Sequence, residues 1–253
     1  MIKFFRKFRR QLLTENKFSK YFIYAFGEIL LVVIGILFAL QINNWNEDSK
    51  NRQIGIVFLE DFKNDLTTDI ATLDQMLYSN DLIIANADSI FFTLAESKTL
   101  SKAERLKFYD QNYSLTSESY FISERSTINQ FESSSNGHLI SSKELKDKLF
   151  RYYSTNERVE NNLEKSIQLY QHSFITKGII TSMLLGDFLE DRIGSDLGRP
   201  ELDLNVLKKN DDYLFSILAK KTGTEVQNLV YEQTIDSAEK LIILIDTEIG
   251  TEN

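Results

Sequence analysis

The stretch FIYAFGEILLVVIGILFALQI, from Phe22 to Ile42, decides the architecture of this chain. Its only ionisable group is Glu28. A helix rises about 1.5 Å per residue, so these residues would form a helix about 31 Å long. That length matches the hydrocarbon core of a bilayer, which is about 30 Å thick. The stretch therefore predicts one transmembrane helix.

Aromatic and charged residues flank the apolar stretch as they flank membrane helices. Tyr21 and Tyr24 lie at one end and Trp45 at the other, where aromatic rings favour the headgroup region. We therefore expect these three residues to be interfacial anchors in the lipid bilayer. Residues 1–21 hold seven bases and one acid, so the positive-inside rule predicts a cytoplasmic head. Residues 43–253 are then expected on the far side.

Other interpretations of the N-terminal region exist. A basic segment before an apolar one is also typical of a cleaved signal peptide, but Gln41 is too large for the last position of a cleavage site. A basic tract can also bind nucleic acid, yet its position directly before the apolar run favours a role in topology. An uncleaved signal anchor is the interpretation we favour, and no nucleic-acid partner is expected.

Residues 43–253 are expected to form one helical domain. The chain has ten Gly and one Pro, and so few helix breakers suit long helices. Apolar residues from Leu59 to Leu94 follow steps of three and four, interrupted at Lys63 and Asn80. Such a stripe is typical of a coiled coil or signalling stalk, or of a helix inside a bundle. We predict an all-α fold with one N-terminal transmembrane helix, followed by a long helix and an antiparallel helical bundle.

Capping boxes and glycines predict where the later helices begin and end. In a capping box, a hydroxyl and a carboxylate three residues later satisfy N–H groups of the first turn. The boxes are Ser101-x-x-Glu104, Ser141-x-x-Glu144 and Thr222-x-x-Glu225, and breaks are expected at Asn136-Gly137, from Gly194 to Pro200, and at Gly223.

Several short motifs point to a known family. The specific ones are GEILLVVIGIL (27–37) and ALQINNWNE (39–47), preceded by KFFRK (3–7) and ENKFSKY (15–21), with looser ones at ERST (124–127), FESS (131–134), LKDKL (145–149) and YY (152–153). Together they resemble an uncharacterised family of Gram-negative single-pass membrane proteins, a domain of unknown function. The resemblance implies the bacterial inner membrane, with a periplasmic C-terminal domain. It supplies neither an activity nor a catalytic residue.

Glu28 is the intramembrane candidate for a functional residue. A carboxylate inside a bilayer is costly, so it usually faces a protein interior, pairs with a partner or takes up a proton. Glu28 would lie about 9 Å from the start of the span. It either faces another copy or another subunit, or it reaches the cytoplasmic headgroups by snorkelling.

The remaining sequence offers no recognisable catalytic, cofactor or metal site. The absence of Cys excludes disulfides and thiolate ligands, and His138 and His172 are far apart. Phosphate-binding loops and nucleophile elbows are missing. Alternation with apolar positions predicts solvated faces for the carboxylates of Glu60, Asp61, Asp65, Asp69, Glu157, Glu160 and Glu164.

We therefore expect a non-enzymatic, membrane-anchored interaction or sensory module without a cofactor. Its partner would be another membrane or periplasmic protein, or a second copy of the chain. The alternative is a subunit of an oligomeric inner-membrane complex in which Glu28 serves proton or ion coupling. An enzyme without a recognisable motif is a third possibility, because helical bundles can carry carboxylate sites.

Overall fold

A computed structural model describes residues 18–96, 99–117, 120–133, 136–176, 187–196, 198 and 202–252. Side chains are described in the same ranges except at 18–21, 23, 24, 136, 163–176, 187, 188, 251 and 252. This part of the chain contains helices and no strand, so the predicted all-α fold is confirmed. The helices are α1 (Phe18–Glu96), α2 (Lys102–Ser114), α3 (Ser126–Ser133), α4 (Lys143–Thr176), α5 (Asp187–Ile193), α6 (Leu204–Lys208) and α7 (Asp211–Glu252), with a 3-10 turn at Asn136–His138.

The chain divides into two compact units, Met1–Gly55 and Ile56–Asn253. The first unit contains the apolar part of α1, which is long and apolar enough to cross a membrane. None of the most apolar window of this helix is buried. Such a segment can serve as a membrane span or as a signal anchor. The helix continues through Asn43 to Asn46 without a break.

In the second unit, α1 and α7 run antiparallel to each other. Polar side chains bond the two helices at three levels. The residue numbers in each bonded pair add up to 308 or 309, as expected when one helix rises while the other descends. The pairs are Lys63 with Asp246, Asn80 with Asn228, and Asp88 with Lys221.

Three hydrophobic clusters lie in order along α1 and in reverse order along α7. The first contains α1 side chains from Phe58 to Leu66, together with α3, α4 and the end of α7. A small second cluster surrounds Leu73. The third contains α1 side chains from Ala87 to Leu94, together with α2, α6 and the start of α7. The apolar stripe of α1 is therefore buried inside the chain's own bundle.

Helix α7 shows that the expected break at Gly223 and the expected helix start at Thr222 are wrong. A glycine inside a helix costs about 1 kcal/mol. Tertiary packing outweighs this cost, because the large side chains of Tyr213 and Tyr231 are buried on either side of the glycine. The helix begins instead after Asn210, whose side-chain oxygen accepts the N–H of Tyr213 at 3.1 Å.

The two other predicted capping boxes lie close to real helix starts. Ser101 caps α2 and forms the predicted box with Glu104. At α4 the cap is Ser142 and not Ser141, because the Ser142 hydroxyl accepts an N–H of the first turn. Glu248 of α7 accepts the N–H of Ser142 at 2.8 Å. In a capping box, a Glu or Gln three residues after the N-cap accepts this N–H; here a carboxylate from another helix accepts it.

Two expected breaks are confirmed. Helix α3 ends before the 3-10 turn at Asn136–His138. Helix α5 ends at Ile193, and the next residue, Gly194, has a φ of 68°, a left-handed conformation that favours glycine. Positions 197, 199 and 200 of the irregular stretch that follows lie outside the described residues.

Replacing Gly223 by alanine is expected to stabilise the chain by roughly 0.5 to 1 kcal/mol, because alanine is the better helix former. A Cβ atom at this position meets nothing within 4 Å. The measurement is thermal unfolding of the full chain in detergent, followed by circular dichroism. Gly194→Ala is the matched control and should destabilise, because its φ is positive. Destabilisation by Gly223→Ala would mean that α7 is interrupted there.

Candidate functional site

Glu28 and the three predicted interfacial anchors all lie on α1. Glu28 is exposed, and Trp45 is 72% exposed. The side chains of Tyr21 and Tyr24 lie outside the described residues. Within the described part of the chain, no side chain bonds Glu28. The roles of these four residues stay predictions.

Residues 120–127, here called the strap, lead into α3. Up to the start of α3 they form neither helix nor strand, so their backbone N–H groups need acceptors from elsewhere. The N–H of Phe121 donates to the Tyr231 hydroxyl at 3.1 Å. The N–H of Ser123 donates to Glu160 at 2.9 Å. Polar side chains of α4 and α7 therefore hold the first part of the strap.

Two buried carboxylates of α1, Asp65 and Asp69, hold the second part. Asp69 accepts the N–H of Glu124 and the O–H of Tyr152, each at 2.8 Å. Asp65 accepts the N–H of Thr127 at 3.2 Å. That N–H belongs to the first turn of α3, so Asp65 caps α3 from a neighbouring helix. Because the two acids are one turn apart, both carboxylates lie on the same face of α1.

This arrangement corrects the expectation of a solvated face. Asp65 is only 8% exposed and Asp69 only 2%, whereas Glu60 is exposed as predicted. A signal for their burial exists in the sequence: they lie three and seven residues after Phe62, which is the spacing of one helix face. Glu160, expected on another solvated face, is also partly buried against the strap.

His138 and Glu157 do not join this cluster. His138 is exposed in the 3-10 turn, and Glu157 is an exposed partner of Arg125 at 3.0 Å. The side chains of Glu164 and His172 lie outside the described residues. In the ranges that the structure describes, no group of three or more His, Cys, Asp or Glu side chains is arranged to hold a metal ion.

Burial determines the electrostatics of the carboxylates. Desolvation raises the pKa of Asp69 to about 6 and also raises the pKa of Asp65, and hydrogen bonds from the strap offset only part of this effect. Burial and the nearby acids likewise raise the pKa values of the Tyr152 and Tyr153 hydroxyls. Asp69 is therefore mostly ionised at neutral pH and takes up a proton in mild acid.

Two buried polar atoms of α4 have no hydrogen-bond partner among the described residues. They are the hydroxyl oxygen of Tyr153 and the amide nitrogen Nδ2 of Asn156. The two residues are 1% and 4% exposed. An unsatisfied buried polar group costs about 1 to 3 kcal/mol and is rare in native proteins. Both atoms would gain from a further polar partner.

A groove of about 390 Å³ lies between α4 and α7. Tyr152 lines it and also donates to Asp69, so the groove and the carboxylate pair share a residue. A valine of α4 and valine and leucine side chains of α7 line the groove, as does Asn156. Its charged residues are Lys148, Arg151 and Lys240, and none of the described lining residues is acidic. This surface can accommodate a molecule with an apolar part and a negative charge.

The fold and the site define a helical-bundle protein with an apolar N-terminal helix, a buried carboxylate pair and a basic groove. Residues 28–155 match the model of a family described as a family of unknown function, DUF6090. The match covers half of the chain, and the chain belongs to this family. The expected membership of an uncharacterised family is therefore confirmed. No curated protein and no solved structure matches the chain significantly.

The raised pKa of Asp69 predicts a pH dependence of stability. The folded state, with a pKa of about 6, holds a proton that the unfolded state has already lost at that pH, because the carboxylate there titrates near pH 3.9. Stability therefore falls as the pH rises from about 4 to about 7. Between these pH values, the free energy of unfolding of the unmodified chain should fall by on the order of 1 to 2 kcal/mol more than that of Asp69→Asn.

Thermal unfolding of the full chain at several pH values measures this difference. Glu60→Gln changes an exposed carboxylate of the same helix and should keep the pH profile of the unmodified chain. Parallel profiles for the unmodified chain and Asp69→Asn would show that Asp69 is not the group responsible.

Proposed function

We propose that the chain is a non-enzymatic, membrane-anchored interaction or sensory module, whose helical bundle binds a partner protein or a small ligand. One observation carries the proposal: an apolar helical segment without buried residues precedes a unit with its own cores and a groove. A continuous apolar surface of this kind is unfavourable in water and favourable in a bilayer.

In this proposal, the three parts of the chain lie in the membrane, the cytoplasm and the periplasm. Residues 22–42 span the inner membrane of a Gram-negative bacterium, with Tyr21, Tyr24 and Trp45 at its interfaces. Residues 1–21 are cytoplasmic, because seven bases and one acid precede the span. Residues 43–253 then form the periplasmic domain. GEILLVVIGIL and ALQINNWNE are, in this proposal, the hallmark of the family.

The hydrogen bonds of the carboxylate pair favour a structural role over a catalytic one. Asp65 and Asp69 accept bonds from the strap and from Tyr152, so these bonds already stabilise the carboxylates as they stand. A general base would need a free lone pair within reach of a substrate. The groove, in contrast, offers apolar and basic groups together, which suits binding.

Cysteine labelling tests the orientation, and the chain lacks native Cys. In intact cells that express it, a membrane-impermeant maleimide should label Ser154→Cys, an exposed position of α4. Ser19→Cys should react only after the membranes are made permeable, because the basic head is cytoplasmic in this proposal. Labelling of Ser19→Cys alone in intact cells would place the bundle in the cytoplasm and contradict the periplasmic assignment.

A second candidate function is a subunit of an oligomeric inner-membrane complex that uses Glu28 for proton or ion coupling. The observation behind it is an exposed carboxylate in an apolar segment, bonded by no described residue of its own chain. Such a group needs a partner from the headgroups or from another chain.

Glu28→Gln distinguishes the two candidates because it removes the charge and keeps the shape. We expect the amount of chain in the membrane and its crosslinked species to stay unchanged, since an anchor needs no ionisable group. Crosslinking in cells and quantitative blotting measure both. Glu47→Gln makes the same chemical change outside the span and is the control. If the crosslinked species disappear with Glu28→Gln and persist with Glu47→Gln, the complex-subunit function is the correct one.

A further inference from the structure

We propose that the groove between α4 and α7 binds a small organic anion with an apolar body, such as a carboxylate or phosphate monoester on a short alkyl chain. The inference rests on the proposed function, since it gives the binding module a ligand class. Charge, an unpartnered donor, and the shape and size of the groove support it independently.

The charge of the groove is opposite to that of the surrounding protein. The chain has a net charge of −8, and the head of seven bases and one acid contributes +6, which leaves −14 for residues 22–253. Three bases line the groove, Lys148, Arg151 and Lys240, and no acid is among its described lining residues. A local positive patch in an acidic protein attracts anions and concentrates them at the site.

These bases remain available to a ligand. Lys148 and Lys240 each pair with a carboxylate one turn away on their own helix. Both pairs are exposed, and such pairs contribute about 0 to 1 kcal/mol, so a bound anion can share the ammonium groups. Arg151 forms no ion pair within the described residues. Its planar guanidinium suits a carboxylate or a phosphate, which it can bind with two parallel hydrogen bonds.

Asn156 supplies the second observation. The residue lines the groove, and its amide nitrogen is buried and has no hydrogen-bond partner among the described residues. Asn156 follows Arg151 by five residues on α4, and Tyr152 and Thr155 line the groove between them, so these side chains form one face of the helix. An oxygen of the ligand would satisfy the buried donor and remove the cost of leaving it unpaired.

The rest of the groove fits an alkyl or similar apolar group. Val159 of α4 and Val230, Leu241 and Leu244 of α7 form its aliphatic part. Small-molecule sites usually measure about 300 to 1,000 Å³, and this groove, at about 390 Å³, is near the lower end. It therefore suits a short single chain and is too small for a lipid with two long acyl chains.

Photolabelling of the full chain tests the ligand class. The probe is octanoate that carries a diazirine, added to the chain in phosphatidylcholine nanodiscs, and the labelled peptides are mapped by mass spectrometry. We expect labels within 148–159 and 230–244. Octanoate and octyl phosphate should compete, and octanol should not, because it lacks the charge.

The competitors distinguish a carboxylate ligand from a phosphate ester. Competition by octanoate alone would assign the site to a free carboxylate, and competition by octyl phosphate alone would assign it to a phosphate ester such as a lipid fragment. Both results support the anion. Equal competition by octanol would overturn the inference, and so would the absence of labels from both peptides.

Matched variants test the residues. Arg151→Gln and Asn156→Leu should each reduce labelling of the groove about tenfold, the effect of losing one charge-assisted or buried hydrogen bond. Lys143→Gln removes the same charge from α4 at an exposed position away from the groove and should leave labelling unchanged. Asn156→Leu is expected to fold, since it keeps a similar volume and removes a buried nitrogen that has no hydrogen-bond partner among the described residues. Full labelling of Arg151→Gln, which alters only an exposed side chain, would overturn the inference in any case.

The photolabelling result does not depend on the orientation of the chain in the cell membrane, because the chain is purified before labelling. Labelled groove peptides together with an inverted topology would refute the periplasmic module and keep the ligand class. A correct topology without labelled groove peptides would refute the ligand class alone.

Discussion

The fold depends on hydrogen bonds between two buried carboxylates of α1 and the backbone of the strap. The carboxylates of Asp65 and Asp69 accept bonds from N–H groups of the strap, and both groups are buried away from water. A buried carboxylate without hydrogen bonds is very costly, and a buried N–H group without an acceptor costs about 1 to 3 kcal/mol. The N–H groups of Glu124 and Thr127 meet the carboxylates at 2.8 and 3.2 Å. Neither partner could be buried alone, so the path of the strap and the polar face of α1 are fixed together.

The positions of α3 and α4 follow from this contact. Because Asp65 caps α3, the next turn of α3 points Phe131 into the first core cluster, where its ring meets Phe58 at a centroid distance of 5.4 Å. The bond from Tyr152 to Asp69 fixes the rotation of α4 about its axis. With Tyr152 held in this way, the side chain of Arg151 and its neighbours one turn away line the groove beside α7. The hydrogen bonds of two buried carboxylates thus determine where the groove forms.

The sequence predicts the regular part of this fold and misses the part that depends on distant contacts. The stripe from Leu59 to Leu94 is sufficient to identify the core face of α1, since periodicity is a local property. Gly223 misleads because a local preference of about 1 kcal/mol is smaller than the packing of the two tyrosines on either side of it. The spacing from Phe62 could indicate that Asp65 and Asp69 are buried, but their partners in the strap lie 55 and 62 residues away along the chain, and no local pattern predicts that pairing. The groove likewise requires α4 to pack on α7, so its residues could not be selected in advance.

The unpartnered atoms on α4 suggest a role other than stability, because a single replacement would remove each of them with little change in packing. Phenylalanine at Tyr153 or leucine at Asn156 would keep the volume and eliminate a buried polar atom without a partner among the described residues. Selection for stability alone would favour both replacements. Residues that lower stability are expected at sites where a protein binds or reacts. The two residues are three positions apart, on the helix that also provides Tyr152 to the carboxylate pair and Arg151 to the groove. Of these two residues, Asn156 lines the groove, so a ligand bound there could supply the partner that its buried nitrogen lacks.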